Sequence, residues 1–188
     1  MKTNYFFRPL SAVALVSFGF GLGACSRQAD APKMTASAVP AAVAAPGALP
    51  VLGPSPLWKL TDINGQPVRS EQFKGKVVVV DFWATWCGPC RTEIPGYVEL
   101  QRKYGKDGLM VIGVSLDQGG PGVVQAFVKK FGVNYQMVMG DEAVQNAFGG
   151  MDAIPTTFLI DRTGQIRDRK VGAEPAEEYE KKVASLLN

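Results

Sequence analysis

The chain has 188 residues, enough for one globular domain and a sizeable segment besides. Lys and Arg number 20 against 17 Asp and Glu, and no basic stripe is present, so the charge pattern offers nothing to nucleic acid. There is no histidine and there are only three cysteines. That excludes Ser-His-Asp and Cys-His catalysis, haem ligation by histidine, four-thiolate metal sites and nearly every zinc site with nitrogen ligands. No metal and no cofactor is therefore expected, and the chemistry must rest on sulfur, carboxylate or backbone.

Residues 1–24 read as an export signal. Lys2 and Arg8 supply a positive start, and Leu10 to Ala24 is a run of 15 uncharged residues, short of the ~20 that a spanning helix needs. The run ends in Leu22-Gly23-Ala24-Cys25, which resembles a bacterial lipoprotein signal, with Cys25 as the lipidated first residue. A thioether at Cys25 would remove a thiol otherwise open to side reactions, and several acyl chains on one residue would hold the chain firmly at a membrane. The alternative is a plain secretory signal with a chance cysteine, or an uncleaved anchor. Residues 25–56 then form a linker. From Ser26 to Pro56, 9 of 31 residues are Ala and 6 are Pro, with no aromatic, so too little apolar surface exists to offset ordering entropy. Fully extended, this spacer would reach on the order of 90 Å.

Residues 57–188 carry the alternating pattern of a globular domain. Trp58 to Thr61 and Pro67 to Arg69 flank Asn64-Gly65 as a short hairpin. Lys76 to Phe82, with four consecutive valines, predicts a strand buried on both faces. A helix is expected from about Cys87 to Tyr104, with Ile94, Val98 and Tyr104 near its apolar face and a kink at Pro95. Leu109 to Leu116 is a second buried strand, Val123 to Phe131 an amphipathic helix, and Tyr135 to Met139 a short strand. Asp141 caps a brief helix to Phe148. Thr157 to Asp161 and Gln165 to Val171 form a hairpin about Arg162-Thr163-Gly164, and Glu177 to Leu187 is the closing helix. The order implies an α/β domain, a mixed central sheet flanked by helices with an N-terminal β-hairpin extension. No glycine pattern for a dinucleotide or nucleotide phosphate is present, so the electrons must come from another protein.

Chemistry concentrates in Trp86-Cys87-Gly88-Pro89-Cys90, after a buried strand and at the start of a helix. A sulfur at a helix N-terminus faces unpaired N–H groups and the positive end of the dipole, which favours thiolate and should bring Cys87 below the ~8.5 of a free cysteine. Cys90 lies one turn inward, close enough to close a ring on Cys87. Such a pair suits dithiol exchange, in which the outer sulfur attacks a disulfide and the inner one resolves the mixed disulfide. Gly88 and Pro89 permit the tight turn, and Pro89 stands where a missing N–H costs nothing. A purely structural disulfide across so small a ring would restrain the unfolded chain little.

Val80 to Arg91 resembles the active-site stretch of the thioredoxin superfamily, and Ile154-Pro155-Thr156, just ahead of a strand, is similar to that fold's cis-proline loop. The Trp58 strand, Asn64-Gly65, Phe73 to Lys76 and Arg91 to Pro95 are closer to the TlpA/ResA-like membrane-tethered thiol-disulfide oxidoreductases of bacterial envelopes. The resemblance implies a thioredoxin fold and reduction of disulfides in envelope proteins, apocytochrome c among them, with a membrane thiol protein as electron donor. It also implies substrate contacts from Trp86, Gly88, Pro89, Ile154 and Pro155.

Two carboxylates refine this reading. Asp81 matches the buried aspartate of thioredoxins, where many tethered members carry Asn; burial should raise its pKa and poise it to take a proton from Cys90. Glu93, three residues past Cys90 and on the same helix face, matches a glutamate of ResA-like proteins, or simply suits the first turn of a helix. Trp83 and Trp86 are expected to pack around the site. Met137, Met139 and Met151 suit either core packing or Cu(I). A thiol peroxidase and a copper- or cytochrome-binding module remain the alternative functions.

Overall fold

The computed structural model describes residues 48–188, so the expected export signal, Cys25 and most of the spacer lie outside the described residues. Twelve elements follow one another: β1 (Gly53–Pro54), β2 (Lys59–Asp62), β3 (Pro67–Arg69), β4 (Val77–Trp83), α1 (Gly88–Tyr104), β5 (Leu109–Ser115), α2 (Pro121–Phe131), β6 (Gln136–Met139), α3 (Glu142–Ala147), β7 (Thr156–Ile160), β8 (Gln165–Val171) and α4 (Ala176–Leu187). The strands form one sheet in the order β1-β8-β7-β4-β5-β6-β2-β3. β4, β5 and β6 run parallel, and every other pairing is antiparallel. The sheet is thus mixed, as the alternation of strands and helices implied.

The valine run sits where a strand buried on both faces belongs, between β5 and β7. Val78, Val80 and Phe82 point to one face, with Ile112, Val114, Val138, Phe158 and Val144 of α3. Val77 and Val79 point to the other, with Tyr97 and Leu100 of α1 and Tyr179 and Val183 of α4. Asp81 and Trp83 follow on this second face by strand alternation. Toward the end of β4 the second face continues into a cluster of Trp83, Cys87, Cys90, Ile94, Val124, Phe127 and Met137. The buried stripe of α1 is Cys90, Ile94, Tyr97 and Leu100, while Val98 and Tyr104 are only half-buried. The stripe advances by three and four residues from Cys90, which carries it to Tyr97 rather than to Val98. Pro95 lies inside α1, and the helix continues through it.

The hairpin β2–β3 has its Asn-Gly turn, with Gly65 at φ 83° and the Asp62 carboxylate accepting from the backbone N–H of Asn64 and of Gln66 at 2.8 Å each. It extends the sheet by pairing β2 with β6. At the opposite edge, β1 pairs with β8 and Leu52 N donates to Ile166 O at 2.8 Å, so the last residues of the expected spacer are held to the sheet. Asp141 caps α3 as expected, accepting from Val144 N at 2.7 Å.

Candidate active site

Cys87 is the N-cap of α1, and its Sγ accepts from Cys90 N at 3.2 Å. The loop before it is drawn tight by Cys87 N donating to Ala84 O at 3.1 Å. Gly88 opens the helix and Pro89 occupies its first turn, where no backbone partner is lost. Cys87 and Cys90 are joined as a disulfide, with their Cα atoms 5.3 Å apart. Cys90 is 1 % exposed and Cys87 5 %, so access to sulfur is from the Cys87 side and is narrow.

The loop ahead of β7 supplies the wall facing the disulfide. The Ile154–Pro155 bond is cis, and the Ile154 carbonyl oxygen lies 3.6 Å from Cys87 Sγ. The disulfide sulfur has no proton, so this is a contact; a Cys87 thiol at the same place would donate to that carbonyl. Thr156 Oγ1 donates to Ala153 O at 2.7 Å, and Gly172 N donates to Pro155 O at 2.8 Å, holding the loop from both sides. The Cys87 sulfur and the Ile154 carbonyl, far apart in sequence, are thereby brought face to face.

Trp83 and Trp86 part company. Trp83 is wholly buried beneath the site, whereas Trp86 is 70 % exposed and does not pack around it. Trp83 belongs to β4, whose alternation turns it inward; Trp86 lies beyond the strand in the turn that caps the helix, where neither neighbour covers it. A shallow groove lined by Thr85, Trp86, Leu116, Asp117, Gly119 and Val123 opens beside it. A separate, largely apolar cavity lined by Trp58, Phe73, Val78, Val80 and Ile160 among others contains none of the site residues.

On the sheet face covered by α1 lies a buried polar compartment. Asp81 is fully buried, and its Oδ1 accepts from Thr157 Oγ1 at 3.0 Å; the Thr157 hydroxyl lies 3.1 Å from that of Tyr97 on α1. Burial pushes the Asp81 carboxyl up from 3.8 to about 7, against the hydrogen bond from Thr157, with Glu93 adding to the rise and Lys170 opposing it. Glu93 is no exposed first-turn acid. Its side chain is 7 % exposed, it pairs with the equally buried Lys170, and its Oε1 accepts from Glu174 N at 3.0 Å.

With the fold and site assembled, similarity to known proteins decides the family. The model of the AhpC/TSA family matches residues 52–169. The chain belongs to that family, within the thioredoxin superfamily. Thiol-disulfide oxidoreductase ResA of Geobacillus kaustophilus (strain HTA426) is 34 % identical over 134 residues, covering 70 % of this chain and 75 % of the relative. A thioredoxin-family thiol:disulfide interchange protein from Chlorobium tepidum TLS superposes with a TM-score of 0.67 at 32 % identity, covering 72 % of this chain and 97 % of the other. A putative thiol:disulfide interchange protein DsbE from Chlorobium tepidum gives 0.68 at 30 % identity, covering 75 % and 100 %. This AhpC/TSA-family chain is a thiol-disulfide oxidoreductase with a thioredoxin fold and a Cys87–Cys90 redox pair.

Sequence reasoning missed several residues around this family member's site. Asp117, after β5, accepts from Thr85 N at 2.9 Å, Thr85 Oγ1 at 2.6 Å and Ser115 Oγ at 2.9 Å, clamping the turn that carries Trp86 and Cys87. Thr157, Tyr97 and Lys170 were missed because only sheet register and helix packing bring them to Asp81. The methionines pack: Met137 and Met139 belong to the cluster around Trp83, and Met151 to the core of the other sheet face. A Cβ at Gly113 would collide with Met137 Sδ, so the thioether fills the space that glycine leaves open.

Proposed function

We propose that the chain reduces disulfides of envelope proteins, apocytochrome c being one such substrate, while tethered to a membrane through a lipidated Cys25 and an Ala/Pro-rich spacer. The observation that carries the exchange chemistry is the Cys87 sulfur at the mouth of α1, held by Cys90 N and facing the Ile154 carbonyl across a narrow opening. Backbone N–H groups and the helix dipole favour the anionic sulfur there.

In the reduced chain the Cys87 thiolate attacks one sulfur of a substrate disulfide, the S–S bond breaks, and the departing substrate sulfur takes up a proton. Cys90 then loses its thiol proton to the Asp81 carboxylate and attacks Cys87 Sγ, releasing the second substrate sulfur, which is also protonated. The substrate has gained two electrons and two protons, and the chain ends as the Cys87–Cys90 disulfide. A membrane thiol protein restores the dithiol by the same exchange run from its side. Trp86, Gly88 and Pro89 would offer the docking surface, and the Ile154–Pro155 backbone would align an extended substrate segment.

Cys90→Ser tests this reading. Resolution is lost, so the variant should accumulate mixed disulfides through Cys87 with envelope proteins, identified by release with dithiothreitol. Trapping of no disulfide-bearing protein, with consumption of peroxide faster than free thiols achieve, would overturn it in favour of a thiol peroxidase. Tight stoichiometric Cu(I) binding without exchange would favour the copper-binding module instead. A reduction potential well above about −180 mV, the range of protein disulfide isomerase, would reverse the direction of transfer.

A further inference from the structure

One cross-strand row runs through the sheet beneath α1. Lys170 of β8 pairs in register with Thr157 of β7, Thr157 with Asp81 of β4, Asp81 with Gly113 of β5, and Gly113 with Met137 of β6. Side chains in register share a face, so the row sets the Lys170 ammonium and the Asp81 carboxylate on either side of the Thr157 hydroxyl. Gly113 and Met137 close the far end of the row, with the Met137 thioether and the Trp83 ring packed against Gly113.

The Lys170 ammonium has a defined seat. It pairs with Glu93 Oε1 and donates to Gly172 O at 3.1 Å, and it lies 5.5 Å from the ring centre of Tyr179 and 6.0 Å from that of Tyr97. Gly172 in turn holds Pro155 of the cis loop. Lys170 therefore links three pieces of the site: Glu93, one turn past Cys90 on α1; the segment bracing the cis loop; and the row that ends in Asp81. Glu93 Oε2 is buried with no hydrogen-bond partner among the described residues.

The charge count of this compartment is odd. Facing Asp81 are Glu93 and Tyr97 from α1, Lys170 from β8, Tyr179 from α4 and Tyr135 ahead of β6. The three tyrosines are driven well above their ordinary 10 by burial and stay neutral throughout the working range. Asp168 and Glu174, nearer solvent, each pair with Lys182 at 3.0 Å. Two carboxylates thus share one ammonium, and a buried compartment cannot hold an unmatched charge cheaply, so one carboxylate is the proton holder.

We propose that Lys170 is a positioning residue of the exchange: by pinning Glu93 as its ion-pair partner it leaves Asp81 as the carboxylate that takes the Cys90 proton, and its charge sets how readily Asp81 gives that proton up. This rests on Asp81 being the acceptor for Cys90. It goes further in assigning the control of that acceptor to a lysine on β8, outside the stretch that carries the cysteines.

Carboxyl-carbon NMR of the oxidised full chain reads the Asp81 midpoint, with Asp81→Asn as the assignment control. Glu93→Gln removes a negative neighbour and should lower the midpoint. Lys170→Met should raise it, each by at least about half a pH unit. Lys170→Arg, which keeps the charge, should hold the midpoint near that of the natural chain. Lys170→Met leaves a buried carboxylate unpaired and risks unfolding. The deciding comparison is therefore Glu93→Gln against the double variant Glu93→Gln/Lys170→Met, in which no buried carboxylate loses its partner. The double variant should titrate higher than the single one. Equal midpoints would overturn the proposal, since a merely structural lysine would change stability and leave the titration of Asp81 unmoved. The acceptor reading fails separately, if Asp81→Asn resolves mixed disulfides with the rate and pH profile of the natural chain.

Discussion

Replacing Asp81 with Asn is expected to make the domain more stable, by an amount that depends on pH. In the folded chain this carboxyl titrates at about 7, and in the unfolded chain near 3.8. Between those values the folded state keeps a proton that the unfolded state has lost, so stability falls as pH rises through the window. Above about pH 7 both states are ionised and the full cost of burying the charge is present. At about 1.4 kcal/mol per pH unit, the separation corresponds to about 4 kcal/mol. Asn cannot ionise, and its amide oxygen can still accept from the Thr157 hydroxyl that stands 3.0 Å from Asp81 Oδ1. The gain should therefore be about half a kcal/mol near pH 4 and about 4 kcal/mol near pH 8. Urea unfolding of the oxidised chain at both pH values, at constant ionic strength, measures it. An equal gain at the two pH values, or a loss near pH 8, would refute the placement of an ionisable proton at Asp81. The same substitution should slow resolution by Cys90 about a hundredfold and remove the limb of the rate profile near neutrality, a trade of activity against stability.

Trp86→Ala should leave the thermal midpoint within about 1 °C, because so exposed a ring buries little; kcat/KM for a protein disulfide should drop about fivefold, with a smaller loss toward glutathione disulfide, as expected of an aromatic docking contact. Asp117→Ala strands the Thr85 N–H and the hydroxyls of Thr85 and Ser115. It should cost about 2 kcal/mol in urea unfolding and slow oxidation of the dithiol by loosening the turn that carries Cys87. Unchanged stability would show that the clamp is dispensable.

How far the sequence speaks is seen by comparing Cys87 with Lys170. The pair Cys87 and Cys90 was legible because the chemistry and the local structure coincide: a strand, a Gly-Pro turn and a helix start are adjacent in the chain, and dipole, capping and spacing all act within a few residues. The valine run, the Asn-Gly turn and the Asp141 cap were legible for the same reason. Trp86 was misjudged as packing because sequence cannot say whether the strand's alternation persists to that residue; it ends at Trp83. Ile154–Pro155 was recognised by resemblance, but its 3.6 Å approach to Cys87 exists only because β7 lies beside β4.

Local sequence therefore determined the elements, the redox pair and the helix end on which it sits, since each depends on neighbours a few bonds away. Tertiary structure alone decided which groups share the buried polar compartment. Asp81, Thr157 and Lys170 are separated by 76 and 13 positions and meet through strand register, while Glu93 joins them through the packing of α1 on the sheet. Proton affinity in a buried site is set by burial and by charges a few ångströms away, quantities that do not exist until the chain has folded.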